Sequence, residues 1–268
     1  MAFYKKLSIG VITLFPKMFE ALRYGVIRRA LDRNLLTLFF LNPRDYTTNI
    51  HRNVDDKLYG GGPGMIMKFE PLAAAIQSAK ATLGMNTKVI YFSPQGKLLT
   101  QAIVEKKIQE FQSIIFLLGR YGGVDERLIE AEVDEEWSIG DYIVSGGELP
   151  AMVLIDALTR LLPGVLGNTD SVSQDSFASG LLDFPKYTRP EKIANRQVPE
   201  ILLSGDQEKI ARWRLKKALG RTWKRRPDLI KKRSLIEHER QLLNEFIEEH
   251  REENEQDYPN SRTRTNSR

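Results

Sequence analysis

Three glycine-bearing loops follow strand candidates, and their composition makes them the first candidates for binding a small molecule. They are the first loop (residues 93–96, SPQG), the second loop (119–123, GRYGG) and the third loop (138–150, SIGDYIVSGGELP). Glycine carries no Cβ, so backbone N–H and C=O groups in such loops can come close to a ligand. Three of them at one sheet edge would enclose a small molecule through main-chain contacts, and ordinary turns are the open alternative.

A fourth glycine cluster lies at residues 60–64 (GGGPG) and contains Gly60, Gly61 and Gly62. Four glycines in five positions leave almost no side-chain bulk, so a planar group could lie against this backbone. A flexible surface loop is the alternative, and composition alone favours it.

Several common motifs are absent from the 268-residue sequence, and their absence narrows the chemistry. There is no G-x-G-x-x-G dinucleotide fingerprint after a strand, no G-x-x-x-x-G-K-[ST] P-loop and no G-x-S-x-G nucleophile elbow. Because the chain has no cysteine, disulfides, thiolate metal sites and a cysteine nucleophile are excluded. The three histidines (His51, His238 and His250) are too widely spaced to predict a metal site.

The positive charge is concentrated towards the C-terminal end of the chain. Residues 209–233 contain twelve Lys or Arg and one acidic residue, whereas the formal charge of the whole chain is only +5. This density is expected of a protein that binds a phosphate backbone. The alternative is a solvated helix face that keeps the protein in solution.

The first half of the chain alternates short apolar segments with longer helix-compatible segments, which predicts an α/β fold with a mostly parallel sheet and helices on both faces. Ligands of such sheets bind beyond the carboxyl ends of the strands, where the three loops are expected. The strand candidates are 7–14, 36–41, 88–92 and 113–118, and the helix candidates are 17–34, 70–83, 101–111 and 150–162.

A segment rich in Ser, Asn, Asp and Gly (167–180) follows the last of these helices and predicts a connection between two domains. Beyond it, Asp206 can cap a helix that ends at Gly220, and a last helix covers 234–250. The predicted organisation is an α/β domain at 1–166, a flexible linker at 167–176, a small helical domain at 177–250 and a disordered tail at 251–268.

The N-terminal segment lacks the apolar stretch and cleavage site of a signal peptide, and no apolar run approaches the roughly 20 residues that span a bilayer. We therefore expect a soluble, cytoplasmic protein that does not contact a membrane.

Nine blocks of the sequence closely resemble the bacterial tRNA (guanine-N1)-methyltransferase family, in the same order and from about residue 7 to about residue 247. The most specific are SIGDYIVSGGELPAM, which begins in the third loop, and the combination of YTRPE (187–191) with RTWKRRP (221–227), the latter in the basic region. The blocks are LFPKMF (14–19), NPRDY (42–46), VDDKLYGGGPGM (54–65), SPQG (93–96), GRYGGVDERLIE (119–130), DEEWSIGDYIVSGGELPAM (134–152), PGVLG (163–167), DSFASGLLDFPKYTRPE (175–191) and LLSGDQEKIARWRLKKALGRTWKRRPDLI (202–230).

The resemblance implies that the α/β domain ends in a deep trefoil knot and is followed by a small helical domain that binds tRNA. It implies an enzyme that transfers a methyl group from S-adenosylmethionine to N1 of the guanosine directly 3′ of the anticodon, at tRNA position 37. It also implies a homodimer with active sites shared between protomers, and it leaves open a divalent cation such as Mg²⁺ with no assigned ligands. A non-catalytic RNA-binding factor and a methyltransferase acting on another RNA are the alternatives.

Carried over by position, the resemblance assigns the methyl-donor pocket to the three loops and to the strand end before the first loop. It gives Gly60, Gly61 and Gly62 a part in shaping the guanine site. The donor-binding candidates are Tyr91, Ser93, Pro94, Gly119, Tyr121, Ser138, Ile139, Gly140, Asp141, Tyr142, Ile143, Val144, Gly146, Gly147 and Pro150.

The resemblance assigns the chemistry to Asp175 as the base at guanine N1 and to Arg160 as the cation that stabilises charge on O6. Taken alone, Asp175 is typical of the N-cap of a helix beginning near residue 176, and Arg160 of a cation at a helix C-terminus. The chain departs from the family pattern at Gly122, where Glu is usual, and at Leu58, where Pro is usual. Gly122 removes a carboxylate from the neighbourhood of the donor.

The basic region supplies the candidates for contacting RNA phosphates. Trp213 and Trp223 lie among them, and we expect these rings to pack in the core of a small helical domain rather than to stack on bases. The phosphate candidates are Arg212, Arg214, Lys216, Lys217, Arg221, Lys224, Arg225 and Arg226.

Overall fold

A computed structural model of the chain describes residues 6–167 and 175–257. The chain divides into two compact units, Met1–Val172 and Ser173–Arg268. This boundary falls inside the predicted linker at 167–176, of which residues 168–174 lie outside the described residues.

Short apolar segments of the first unit form its strands. They are β1 (Leu7–Ile12), β2 (Leu36–Leu41), β3 (Asp55–Lys57), β4 (Met65–Met67), β5 (Lys88–Leu98), β6 (Ser113–Leu117) and β7 (Glu135–Ser138). Within the described residues, a five-stranded sheet has the order β2-β1-β6-β5-β7, and every neighbouring pair is parallel. The expectation of an α/β fold with a mostly parallel sheet is confirmed.

Two apolar clusters cover opposite faces of this sheet, because successive side chains of a strand point to opposite sides. On β6, Ile114 and Phe116 belong to one cluster, whereas Ile115 and Leu117 belong to the other. The first cluster also takes residues from α1, α3 and α5, and the second takes residues from α2 and α4. The helices are α1 (Gly25–Asp32), α2 (Phe69–Leu83), α3 (Gln101–Glu110), α4 (Glu126–Glu132) and α5 (Glu148–Arg160).

The predicted helix at 17–34 is wrong as a single element. A 3-10 helix occupies Pro16–Arg23, and α1 begins afresh at Gly25. Gly25 has a φ of +64°, a left-handed conformation that interrupts a right-handed helix and that glycine adopts readily. The helix predicted at 150–162 is displaced by two residues, since α5 spans Glu148–Arg160.

The second unit contains two short strands and a group of helices. They are β8 (Lys192–Ile193), β9 (Arg196–Gln197), a 3-10 helix (Glu200–Leu202), α6 (Gln207–Arg225), α7 (Pro227–Lys232) and α8 (Glu237–Asp257). Leu219 of α6 and Leu242 of α8 are fully buried in a core that also includes Leu181. Asp206 caps α6 as expected, because its carboxylate accepts a hydrogen bond from the Lys209 N–H at 3.1 Å.

Gly220 does not end α6, which corrects the predicted boundary. The helix continues to Arg225, and Gly220 is buried against the ring of Phe246 on α8. Its lack of a Cβ therefore serves helix packing and not termination.

The last helix is longer than the predicted range 234–250, because α8 runs from Glu237 to Asp257. Residues 251–257 are thus helical, whereas they were expected to belong to a disordered tail at 251–268. Residues 258–268 lie outside the described residues. Within the residues that were searched, no helix is both long and apolar enough to cross a membrane.

Candidate active site

The first, second and third loops converge on one cavity of about 340 Å³ in the first unit. The first loop lies within β5, where it interrupts the pairing with β7, whereas β6 leads into the second loop and β7 into the third. Because β6 and β7 both pair with β5, their carboxyl ends are brought to one edge of the sheet. The expectation that the loops meet there is confirmed.

Every donor-binding candidate except Asp141 lines this cavity. Asp141 is exposed and lies outside its wall. The wall also includes residues that were not among the candidates, although most of them lie within the same loops: Phe92, Gln95, Arg120, Gly122, Gly123, Trp137 and Ser145.

The first loop arches out of β5 and returns to the same neighbour. Phe92 and Lys97 both pair with Trp137 of β7, so the residues between them bulge from the sheet. Gly96 makes the return feasible, because a Cβ at this position would lie 2.4 Å from the backbone N of Trp137.

Tyr91 forms a buried, neutral part of the cavity wall. Burial, together with the negative charges of Glu136 and Glu126, raises its pKa to about 12. The second loop packs closely on this side chain, since a Cβ on Gly119 would lie 2.9 Å from the Tyr91 hydroxyl. The phenol therefore keeps its proton at physiological pH.

The third loop is shaped by a glycine and by two hydroxyl groups. Gly140 has a φ of +151°, and a Cβ there would lie 2.4 Å from the Tyr142 ring. The Tyr142 hydroxyl donates to the Ile139 carbonyl at 3.2 Å, and the Gly140 N–H donates to the Ser138 hydroxyl at 3.2 Å. The two hydrogen bonds fix the turn at 138–142, and this turn requires glycine at position 140.

A buried ion pair lies behind the second and third loops. Glu148, at the start of α5, is 1% exposed, and its Oε2 lies 2.9 Å from Nε of Arg120. The two atoms are close enough for an ion pair but lack the alignment of a hydrogen bond. The other oxygen, Oε1, accepts a hydrogen bond from the Thr13 hydroxyl at 2.9 Å.

The Gly60–Gly62 candidates lie in the connection of an antiparallel hairpin formed by β3 and β4. These glycines have positive φ angles, and nothing lies within 4 Å of a Cβ built on any of them. The hairpin is joined to the second loop, because the Gly122 N–H donates to the Met65 carbonyl at 2.8 Å. A Cβ on Gly122 would lie 2.9 Å from that carbonyl oxygen, so a glycine allows this close approach.

The two catalytic candidates belong to different units. Arg160 is the last residue of α5 and is exposed. Asp175 lies in the second unit, is partly buried and precedes a series of turns at 176–179. Among the described residues from 175 onward, 176–179 form turns and no helix begins there, so the interpretation of Asp175 as an N-cap is wrong.

The basic candidates of α6 include two that pair with acidic residues of α8. Arg212 Nη2 lies 2.5 Å from Glu245 Oε1, and Lys216 contacts both Glu245 and Glu249. Lys216 has only 12% of its side chain exposed, so its main contact is the neighbouring helix. These pairs connect α6 to α8, and Lys216 is less accessible than expected, whereas about half of the Arg212 side chain is exposed.

Other basic candidates contact aromatic rings or backbone of the second unit. The Arg214 guanidinium lies 5.1 Å from the centre of the Phe184 ring, and Arg221 donates to the Asp183 carbonyl at 3.1 Å. Lys217 lies over the Phe246 ring, Arg226 pairs with Asp228, and Lys224 and Arg225 are exposed.

The expectation for the two tryptophans is confirmed for one of them. Trp223 packs against the core of the second unit. Trp213 is partly buried and pairs instead with Tyr187, their ring centres 6.5 Å apart. Within residues 6–167 and 175–252, whose side chains the structure describes, no group of three or more His, Cys, Asp or Glu could hold a metal ion.

Comparison with known proteins gives a consistent result. The family model described as tRNA (Guanine-1)-methyltransferase TrmD matches residues 7–232. A curated tRNA (guanine-N(1)-)-methyltransferase of Coxiella burnetii (strain Dugway 5J108-111) is 72% identical over 244 residues, which cover 91% of this chain and 99% of the relative. A protein of the same name from Pseudomonas aeruginosa (strain LESB58) is 58% identical over 245 residues, which cover 91% of this chain and 97% of the relative. With three glycine loops around one cavity and this degree of identity over most of its length, the chain belongs to the tRNA (guanine-N1)-methyltransferase family.

Proposed function

We propose that this chain transfers the methyl group of S-adenosylmethionine to N1 of the guanosine at tRNA position 37. The observation that carries the proposal is the convergence of the three loops on one cavity, in a chain of this family. Fourteen of the fifteen residues that the resemblance assigned to the donor line this cavity, and the exception is Asp141.

The cavity suits S-adenosylmethionine in size and in chemistry. Its volume of about 340 Å³ lies within the roughly 300–1,000 Å³ typical of small-molecule sites. Gly119, Gly140 and Gly147 bring backbone groups to the wall, where they can hydrogen-bond to an adenine edge. When bound, the donor supplies an electrophilic methyl group on a positively charged sulfur.

Asp175 and Arg160 supply the acid–base and electrostatic parts of the reaction. Guanine N1 carries a proton on the Watson–Crick edge, so the base must be unpaired before it reacts. Asp175 accepts this proton as N1 attacks the methyl group, and Arg160 stabilises the negative charge that develops on O6. Gly60, Gly61 and Gly62 border the guanine.

We also propose that the first unit ends in a trefoil knot. The excursion of the first loop from the sheet supports this, because Phe92 and Lys97 on either side of it pair with the same residue of β7, Trp137. The third loop then returns to the second, where the Gly147 N–H donates to the Gly119 carbonyl at 3.1 Å.

A homodimer with shared active sites follows from the same proposal. Ile143, Leu149 and Val153 are more than half exposed along the third loop and α5, an apolar surface that suits a second copy of the chain. Asp175 would then act beside the donor loops of its partner.

A complementation experiment tests the shared site. Asp175→Ala and Gly140→Trp should each be inactive as homodimers, whereas the two refolded together should recover roughly a quarter of wild-type activity. Random pairing makes about half of the dimers mixed, and each mixed dimer has one intact site of two. Size-exclusion chromatography verifies that the refolded variants are dimeric, and a different affinity tag on each variant isolates the mixed dimers. Zero activity from the isolated mixed dimers would show that each site lies within one chain.

The second unit would bind the tRNA through its basic residues, in the cytoplasm where tRNA is modified. Lys224, Arg225 and Arg226 are suitable candidates, because all three are exposed and adjacent in sequence. Adding a chelator to the methylation assay tests whether a divalent cation such as Mg²⁺ is required.

The experiment that tests the function is methylation of tRNA by the purified protein with labelled S-adenosylmethionine, followed by mapping of the modified base. We expect label on N1 of guanosine 37. Label elsewhere would indicate another RNA target. A non-catalytic RNA-binding factor would give no label, and calorimetric titration with S-adenosylmethionine would give no heat.

A further inference from the structure

We propose that Arg120 and Glu148 form a pair of positioning residues that holds the second and third loops at a fixed spacing, so that the pair sets donor affinity and not the rate of methyl transfer. This inference rests on the proposed function, because the readout is binding of S-adenosylmethionine. It concerns one buried carboxylate and one cation that the reaction itself does not use.

Glu148 is anchored in the interior of the first unit. It is 1% exposed, and a carboxylate at such a depth is costly unless it is paired and hydrogen-bonded. Thr13, which is fully buried just beyond β1, donates to Oε1 at 2.9 Å. One end of the pair is therefore fixed to the central sheet.

Arg120 connects this anchor to both loops of the cavity. It belongs to the second loop, and its Nε lies 2.9 Å from Glu148 Oε2. Its Nη1 donates to the Ser145 carbonyl of the third loop at 3.1 Å, and its guanidinium lies 4.6 Å from the centre of the Phe15 ring. A planar guanidinium can make these contacts together, whereas a lysine ammonium cannot.

The backbone of the third loop is adapted to the pair. A Cβ on Gly146 would lie 2.4 Å from Arg120 Nε and 2.7 Å from Glu148 Oε2. Both residues of the pair would have to move for any larger side chain at this position. Arg120, Ser145 and Gly146 also line the donor cavity, so a shift of the pair changes the cavity wall.

Glu148→Gln is the direct test, since it keeps the shape of the side chain and removes its charge. We expect the Kd and KM for S-adenosylmethionine to rise about tenfold or more, with kcat at saturating donor within about threefold of wild type. Arg120→Lys should show the same split to a smaller extent, because the ammonium can pair with Glu148 but loses the contacts to Ser145 and Phe15.

A matched control and a double variant separate positioning from general damage. Asp125→Asn alters a carboxylate two residues beyond the second loop that pairs with Arg127 at 2.6 Å outside the cavity, and it should leave the donor KM unchanged. If the two residues act as one unit, Arg120→Gln combined with Glu148→Gln should weaken donor binding by no more than about twice the larger single effect.

Several outcomes would overturn the proposal. A donor KM within twofold of wild type in Glu148→Gln would do so, as would a fall in kcat equal to the fall in kcat/KM. If Glu148→Gln does not fold by circular dichroism, Arg120→Lys carries the same test, since Arg120 is 18% exposed and its charge is kept. Failure of the wild-type protein to bind the donor would instead reject the proposed function.

Discussion

At the scale of single residues, the side chains that shape the cavity and those proposed for catalysis differ in their surroundings. Tyr91 and Glu148 are buried and held by fixed neighbours. Arg160 is exposed and Asp175 is only partly buried. The shaping residues are therefore part of the folded core, whereas the catalytic candidates are accessible to a large substrate such as tRNA.

Asp175→Asn tests the base at this scale. The substitution is almost isosteric but removes the group that accepts the N1 proton, so we expect methyl transfer to fall by at least about a hundredfold. Donor affinity should stay near wild type, since Asp175 is not among the residues that line the donor cavity. Single-turnover rates measure the first quantity and calorimetry the second, and a near-normal rate would reject Asp175 as the base.

At the scale of elements, Asp134, the residue immediately before β7, binds the first two residues of β5, Lys88 and Val89. Burial acts to raise the pKa of Asp134, but Lys88 and the Val89 N–H stabilise the carboxylate and hold the pKa below its ordinary value of 3.8. Lys88 Nζ lies 2.6 Å from Oδ1, and the Val89 N–H lies 2.8 Å from Oδ2.

This linkage predicts a pH dependence of stability. Because the pKa is lower in the folded state, the stabilisation is present above about pH 4 and is lost as the pH falls through the folded-state value. Asp134→Asn should lower the free energy of unfolding by about 1 kcal/mol at pH 7, and the difference from wild type should shrink by pH 3. Urea unfolding at the two pH values measures it.

The control for this prediction is Asp32→Asn, which removes an exposed pair with Arg28. Both side chains of that pair are about two-thirds exposed, so it should contribute little at any pH. An Asp134→Asn difference that does not change between pH 7 and pH 3 would contradict the linkage.

Gly220 offers a second test at the scale of elements. Gly→Ala inside a helix usually stabilises it by up to about 1 kcal/mol. Here a Cβ would lie 2.3 Å from the Phe246 ring, so we expect Gly220→Ala to destabilise the second unit by about 1–3 kcal/mol. Thermal unfolding measures the effect, and Phe246→Leu in the same chain should relieve part of it. An increase in Tm for the single variant would contradict this prediction, because it would show that α6 and α8 can move apart to accept the Cβ without a net loss of stability.

At the scale of the whole molecule, the uneven charge predicts how tRNA binding depends on salt. Each phosphate contact contributes roughly −0.9 or less to the slope of log K against log salt concentration. Replacing Lys224, Arg225 and Arg226 with Ala should flatten this slope and leave S-adenosylmethionine binding unchanged. Filter binding at several salt concentrations measures it, and an unchanged slope would move the tRNA surface elsewhere. The control replaces three exposed cations of the first unit: Arg23, Arg28 and Lys106.

The sequence alone predicted those features that depend on local composition. The range of β2 agrees with the structure residue for residue, and β6 agrees to within one residue, because both are short runs of mostly aliphatic and aromatic side chains between polar segments. The convergence of the first and second loops agrees with the pattern, since parallel strands present their carboxyl ends at one edge. The strand before the third loop, β7, was not among the strand candidates, because two of its four residues are acidic. The family was identified from long, specific motifs such as SIGDYIVSGGELPAM, and the family in turn implied the methyl-transfer chemistry.

Tertiary structure alone decided the features that join distant parts of the chain. Gly220 looked like a helix end, but its contact with Phe246 lies 26 positions away in sequence and overrides the local preference. No sequence pattern predicted the pairing of Arg120 with Glu148. The two residues meet only because the strands of the folded sheet bring their separate segments together. Local patterns report local backbone preferences and burial, whereas packing between separate elements is determined only when the whole chain has folded.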